Sequence, residues 1–311
     1  MAAEVAATAV RRAVRTPSPR GRKDALRGWA FVAPTAILVV GLFIVPIGLV
    51  AFMSGSDWSL MGGNRGSNFP DNFTNVLADP LLGQSVSFTL RYTLLTTLIL
   101  MPIAFLLALL VQEARRWNNV LRTAILVPSA LGIASSSLLF YALYSPQVGP
   151  LNPILDQLGL MDVRESILGT ANGALWATVV LVVWRFAGYY MILTMVGLQA
   201  IPGDIYEAAS LDGASKVTQL RKITLPLLRP TIAMTMILSI TGSLLAFDQF
   251  YILTKGGPNN ETMTIVLLIY KYAFETKKDL GMAAALSVLV LVALVVVNLF
   301  QLRALRGRDK D

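Results

Sequence analysis

Six long stretches of this chain carry no charged side chain, or only one, and each is long enough to cross a bilayer. No charge occurs between Arg27 and Asp57, between Arg91 and Glu113, or between Arg122 and Asp156. The run from Glu165 to Asp204 is interrupted only by Arg185, and Arg229–Asp248 and Asp279–Arg303 are again uncharged. About 20 apolar residues suffice for a helix to span the hydrocarbon core. We therefore expect an all-α, polytopic membrane protein with spans near 29–53, 87–112, 120–144, 172–199, 230–252 and 280–302. Composition agrees, since only 14% of residues are charged against about 25% in soluble domains.

The chain contains no cysteine and no histidine. Disulfides, thiol nucleophiles, Cys/His zinc sites and a histidine general base are all excluded. No Gly-x-x-x-x-Gly-Lys-Ser/Thr loop is present to cradle nucleotide phosphates. The net charge of +8 comes from short clusters between apolar runs, not from a basic face interleaved with aromatics, so nucleic-acid binding is not expected.

Those clusters orient the chain. The N-terminal tail, the second-to-third and fourth-to-fifth connections and the C-terminal tail hold 18 Lys/Arg, and the opposite face holds 6. Cytoplasmic loops carry the excess of basic residues, so both termini are expected inside. The apolar run after the basic start exceeds a signal-peptide core and lacks a small-residue cleavage site, which reads as an uncleaved first span. The domain plan is a disordered basic tail over 1–28, a six-span body over 29–302 and a cytoplasmic tail over 303–311. The connection Ser54–Ser85 reads as a loop. Met263–Phe274 is apolar but too short to cross, and is expected to be interfacial or re-entrant. Pro34, Pro46, Pro102 and Pro128 fit either an ordinary kinked bundle or bent helices around a cavity.

The connection over 200–228 is the most informative segment. Pro202-Gly203 stops span four, and Asp204 can cap a short helix. Ile205, Ala208, Ala209 and Leu211 give that helix an apolar, small-residue face. Asp212-Gly213 predicts a reversal, and Ser215 can cap a second helix in which Val217, Leu220 and Ile223 recur. Pro226 and Pro230 lead into span five. Reconnecting two spans takes only about 4–6 residues, so a longer helix–turn–helix bracket with an apolar face is expected to pack on something, whether a partner, its own bundle or lipid.

Glu207-Ala208-Ala209, then Gly213, Ile223 and Leu225-Pro226, reproduce a spaced signature of seven fixed positions. It resembles the permease subunits of bacterial ATP-binding-cassette importers. Phe247–Pro258, Gly197–Pro202 and Ala283–Ser287 are similar to carbohydrate permeases of the maltose and glycerol-3-phosphate type, in their compact six-span form. The resemblance implies a non-catalytic, multi-pass subunit of the bacterial plasma membrane that forms half of a sugar pathway. It implies four kinds of partner: a second permease, giving a heterodimer, two ATPase subunits binding ATP and Mg, an extracytoplasmic binding protein, and the carbohydrate itself. No cofactor is expected in this chain. Glu207, Ala208, Ala209, Asp212, Gly213, Leu220, Ile223, Leu225 and Pro226 become the expected ATPase-coupling surface, with Leu220 where a phenylalanine is expected.

Arg185 and Asp248 are charges inside spans, where each costs about 2.5–3.5 kcal/mol on insertion scales and needs a partner. One reading makes them structural, satisfied by each other or by carbonyls. The other places Asp248, Gln249, Tyr251, Arg185 and Tyr189 along a sugar path. An ion-coupled transporter or channel is the alternative class, but such proteins show several midplane carboxylates and inverted repeats, and here Asp248 stands alone.

Overall fold

The computed structural model describes residues 22–113, 116–159 and 166–306. They fall into two units, one ending at Phe52 and the other starting at Met53. The first holds α1 (Arg22–Val39), a π turn (Val40–Ile44) and most of α2 (Val45–Ser54). Pro46 lacks an N–H and its ring crowds the carbonyl four residues back. The widened π turn just before it absorbs that crowding. The helix starts at Arg22 rather than near 29, and the rest of the expected N-terminal tail lies outside the described residues, as do residues 307–311 of the C-terminal one.

The second unit opens with an antiparallel hairpin, β1 (Ser56–Ser59) and β2 (Gly63–Ser67), and a short helix α3 (Asp71–Ala78). The connection expected as a loop is therefore structured. Asn72 ties it down, its Nδ2 donating to the Ser54 and Ser56 carbonyls at 3.0 and 2.9 Å. Next come α4 (Pro80–Val111), α5 (Arg116–Ala130), α6 (Ile133–Tyr144), α7 (Leu151–Gln157) and α8 (Ala171–Gln199). The connection to the fifth span contributes α9 (Gly203–Leu211), α10 (Lys216–Gln219), a π turn (Leu220–Thr224) and α11 (Leu225–Leu227). Then follow α12 (Arg229–Leu244), α13 (Asp248–Leu253), α14 (Ile265–Tyr270) with a π turn (Lys271–Glu275), and α15 (Leu280–Arg306).

Among the described residues, Gly28–Ser54, Pro80–Val111, Ala171–Gln199, Arg229–Leu253 and Leu280–Arg303 are long and apolar enough to cross a membrane, and α5 with α6, counted together as one bent span, brings the number to six. Two expected boundaries change. The second span begins at Pro80 instead of near 87, because Asp79 accepts the Leu81 amide at 2.9 Å and proline suits the first helical position. The third span is not one helix, since α5 and α6 are bent by 93° at Leu131–Gly132. The fifth is also interrupted, over Leu245–Phe247, between α12 and α13.

Packing follows the logic of lipid rather than water. Along α4 the hydroxyls of Thr89, Thr93, Thr96 and Thr97 are buried, whereas Leu90, Leu94, Leu98, Leu106 and Leu110 are exposed. Hydrocarbon tails solvate leucine as well as a core does, so small and hydroxylated residues take the inside. On α8 the inward residues include Ala174, Ala177, Thr178, Ala187, Gly188 and Thr194, interleaved with larger ones such as Leu175, Leu181 and Met191. Gly188 abuts α5 so tightly that a Cβ there would overlap the Ile125 carbonyl. The short helix α14 packs inside this body, with Leu267 and Leu268 buried, and is too short to cross.

Asp79 also ties α4 to the segment before α15, accepting from the Tyr272 hydroxyl at 2.8 Å and pairing with Lys277 at 3.3 Å. Burial by itself lifts the Asp79 carboxyl, but the Leu81 amide, Tyr272 and Lys277 outweigh it and hold it below its ordinary 3.8.

Two outcomes follow. Gly188→Ala lowers the thermal midpoint of the detergent-solubilised protein by an overpacking cost of about 1–3 kcal/mol, read by heating followed by size exclusion. An unchanged midpoint would show that α5 and α8 are free to separate. For Asp79, a depressed folded value means that its stabilisation is full above pH 3.8 and is lost as pH falls through the lowered value. The midpoint difference between wild type and Asp79→Asn therefore shrinks below that pH, and a difference independent of pH would rule the contribution out.

Candidate functional site

Each interruption of a span strands backbone carbonyls that lipid cannot satisfy. At the third-span break, Arg185 on α8 donates from Nε to the Leu131 carbonyl at 2.9 Å. Ser129 Oγ donates to the Arg185 carbonyl at 2.6 Å and accepts from the Tyr189 amide at 3.2 Å. At the fifth-span break, Thr264 Oγ1 donates to the Ala246 carbonyl at 2.8 Å while accepting from the Leu267 amide to cap α14.

A cavity of about 180 Å³ lies between the two breaks. Ile133, just past the first break, forms part of its wall, and Leu245, Ala246, Phe247, Asp248 and Gln249 come from the second. Tyr92 of α4, Phe186 and Tyr190 of α8, and Ser239 and Ser243 of α12 complete its working surface. Gln249 is buried, its Nε2 donating to the Tyr92 hydroxyl at 3.2 Å. Asp248 stands in the first turn of α13, where the helix dipole favours a carboxylate, and is half-buried. Among the described residues it forms no ion pair. One carboxylate, one amide and several hydroxyls converge on aromatic faces. That set suits a ligand rich in hydroxyls whose ring edges are apolar.

Of the residues expected along a solute path, Asp248 and Gln249 line this cavity, whereas Arg185, Tyr189 and Tyr251 do not. Arg185 is committed to the Leu131 carbonyl, with its guanidinium 4.1 Å over the Phe186 ring. Tyr189 is exposed. Tyr251 lies behind the wall, its ring stacked on Phe247 at 5.3 Å and its hydroxyl 3.3 Å from that of Tyr270. Tyr92, Ser239 and Ser243 were missed. The available signal was the four-residue recurrence of Thr235, Ser239 and Ser243, which marks one hydroxylated face of α12.

The bracket is the second candidate site. Gly213 has φ +77°, with Gly213 N donating to Ser210 O at 3.1 Å and Ala214 N to Ala209 O at 2.9 Å. This pair of bonds is a Schellman termination of α9, which needs a left-handed residue at that position. Ser215 caps α10 as expected, accepting from the Thr218 amide at 3.3 Å. Asp204 does not cap α9. Pro202 holds that position, and Asp204 sits in the first turn, favoured by the dipole alone. Gln219 staples the two helices, its Nε2 donating to Ser210 Oγ at 2.9 Å and to the Ala214 carbonyl at 3.2 Å. Tyr206 and Thr224 share a hydrogen bond of 3.0 Å.

Val217, Leu220 and Ile223 do not form one outward face. Val217 is exposed, but Leu220 turns inward to line a pocket with Leu109, Gln112, Tyr206 and Thr224. A three-residue spacing already drifts around a 3.6-residue helix, and the π turn over Leu220–Thr224 widens the winding that carries Ile223. The large apolar residues left exposed in the bracket are Ile205, Leu211 and Val217 on the helix pair and Leu227 beyond it, with Leu211 89% exposed. Glu207 and Ala208 lie exposed on the same helix, whereas Leu225 and Pro226 are half-buried at the join to α12.

The family described as binding-protein-dependent transport system inner membrane component matches residues 101–307. The multiple sugar-binding transport system permease protein MsmF of Streptococcus mutans serotype c is 31% identical over 279 residues, covering 89% of this chain and 94% of that protein. The trehalose/maltose transport system permease protein MalF of Thermococcus litoralis is 31% identical over 294 residues, covering 92% and 96%. In fold, the chain is similar to one from the crystal structure of a bacterial ABC transporter involved in the import of the acidic polysaccharide alginate. That likeness has a TM-score of 0.79 at 24% identity and covers 92% of this chain and 98% of the other. The chain belongs to the family of inner membrane components of binding-protein-dependent transport systems.

Proposed function

We propose that this permease carries a sugar or sugar derivative, forming half of the pathway and taking its energy from separate ATPase subunits through the bracket over 200–228. The observation that carries the coupling role is a cross-braced helix pair that leaves the apolar side chains Ile205, Leu211 and Val217 exposed. Exposed apolar side chains on short helices suit burial in a groove on another protein. Glu207, Ala208, Ala209, Asp212 and Gly213 belong to that surface. Leu220, Ile223, Leu225 and Pro226 hold it to the bundle and pass its motion to α12. The Lys/Arg bias supports cytoplasmic termini and a cytoplasmic bracket. ATP and Mg are then bound by the ATPase partner, and the remaining partners are a second permease and an extracytoplasmic binding protein.

The names of the relatives favour a carbohydrate, and so does the cavity. Asp248 and Gln249 offer an acceptor and an amide beside the hydroxyls of Tyr92, Ser239 and Ser243, and Phe186 and Phe247 present ring faces. Which sugar enters is left largely to the binding protein.

Coupling is tested by Gly213→Val. A branched side chain at positive φ costs about 1–2 kcal/mol and re-aims α10. The six spans still insert, but the ATPase fails to co-purify or hydrolyses ATP without solute uptake. Wild-type co-purification and uptake would remove the bracket from the coupling surface. The pathway is tested by Asp248→Asn, which keeps the shape and deletes the charge. Apparent KM rises across a panel of labelled oligosaccharides while the amount of assembled complex is unchanged. Unaltered affinity for every sugar transported would place Asp248 outside the path.

A further inference from the structure

Arg185 is the middle residue of the 29-residue helix α8. A charge kept there calls for a specific return. It makes no ion pair among the described residues, and its Nε is spent on one backbone carbonyl 54 residues earlier. That carbonyl belongs to Leu131, the residue at which the third span turns by 93°. Gly132, which opens α6, receives no side-chain cap. Ser129 and Gly188 bring α5 and α8 into register at the same level. The residue beside Arg185 in sequence, Phe186, and the second residue after Leu131, Ile133, both line the cavity.

We propose that Arg185 is a positioning residue: by capping the carbonyl at the end of α5 it fixes the third-span break, and so sets where Ile133 and Phe186 stand in the cavity wall. A straight span would satisfy the Leu131 carbonyl from within its own helix and carry Ile133 away from the cavity. The guanidinium makes the broken form the stable one, since a charge-assisted bond to a carbonyl is about twice as strong as a neutral one. Stacking on Phe186 at 4.1 Å ties the ring to the same cap. Arg185 therefore shapes the cavity without touching what occupies it.

The inference rests on reading the cavity as part of the solute path, and its test needs no sugar. Because the chain has no cysteine, Ser243→Cys places a single thiol in the cavity of the full chain. Methanethiosulfonate ethylammonium is the probe, applied to membranes containing the assembled transporter and read as the rate of labelling of this chain. Arg185→Gln and Arg185→Met speed labelling by roughly tenfold, the population shift matching loss of one charge-assisted hydrogen bond. Arg185→Lys, which keeps a cationic donor within reach, restores the slow rate. Labelling at the wild-type rate in the inserted Gln and Met variants overturns the proposal, as does failure of Lys to restore it. Failure of both uncharged variants to insert also overturns it, because Arg185 is then a requirement for folding. Altered labelling with unchanged uptake kinetics would instead overturn the reading of the cavity as the path.

Discussion

A backbone carbonyl inside hydrocarbon has to find a donor, and the arrangement around the cavity depends on how the two span interruptions meet that demand. At the end of the second span, outside it, Arg122 likewise donates from Nε to the Val111 carbonyl at 2.8 Å, and from its Nη2 to the Gln112 and Glu113 carbonyls at 3.1 and 3.2 Å. Where α5 ends, Arg185 does the same for Leu131, and where α12 ends, Thr264 does it for Ala246. Each donor arrives from a different segment, so each cap is also a tertiary contact. Broken helices in lipid are expensive, and these caps make the breaks tolerable. The cavity occupies the space that two of those breaks open.

The spans were legible because charge is so costly in lipid that its absence marks them directly. Their interruptions were not. Pro128 announces a lost donor near the end of α5, but the turn itself comes at Leu131–Gly132 and depends on a cation distant in sequence. The fifth-span break carries no proline at all, and the hydroxyl that seals it lies 18 residues downstream. Asp248 and Gln249 could be placed because a lone carboxylate in a span demands explanation. Tyr92, Ser239 and Ser243 could not, since hydroxyls on transmembrane helices usually bond their own turn, as Thr89 and Thr178 do here.

The bracket shows the same division between local and distant causes. Gly213 and Ser215 act within their own turns, so the reversal and the second cap follow from residue type. The winding that carries Ile223 is widened by a π turn that makes room for Pro226 two residues beyond its end. The same pairing recurs at Val40–Ile44 and Pro46. A widened turn shortly ahead of an in-helix proline is thus a shared local solution.

The Gln219 staple has a mechanical meaning. Joined through Gln219 to Ser210, the two helices of the bracket cannot hinge at Gly213 without breaking that bond, so the pair behaves as a stiff arm. Its two ends continue into α8 and α12, and both helices contribute to the cavity lining, through Tyr190 and Ser243. Under the proposed coupling role, a load applied at the tip, around Leu211, is carried to α8 and α12 together. Compliance is left to the π turn, and the leverage of the arm is set by the length of one short helix.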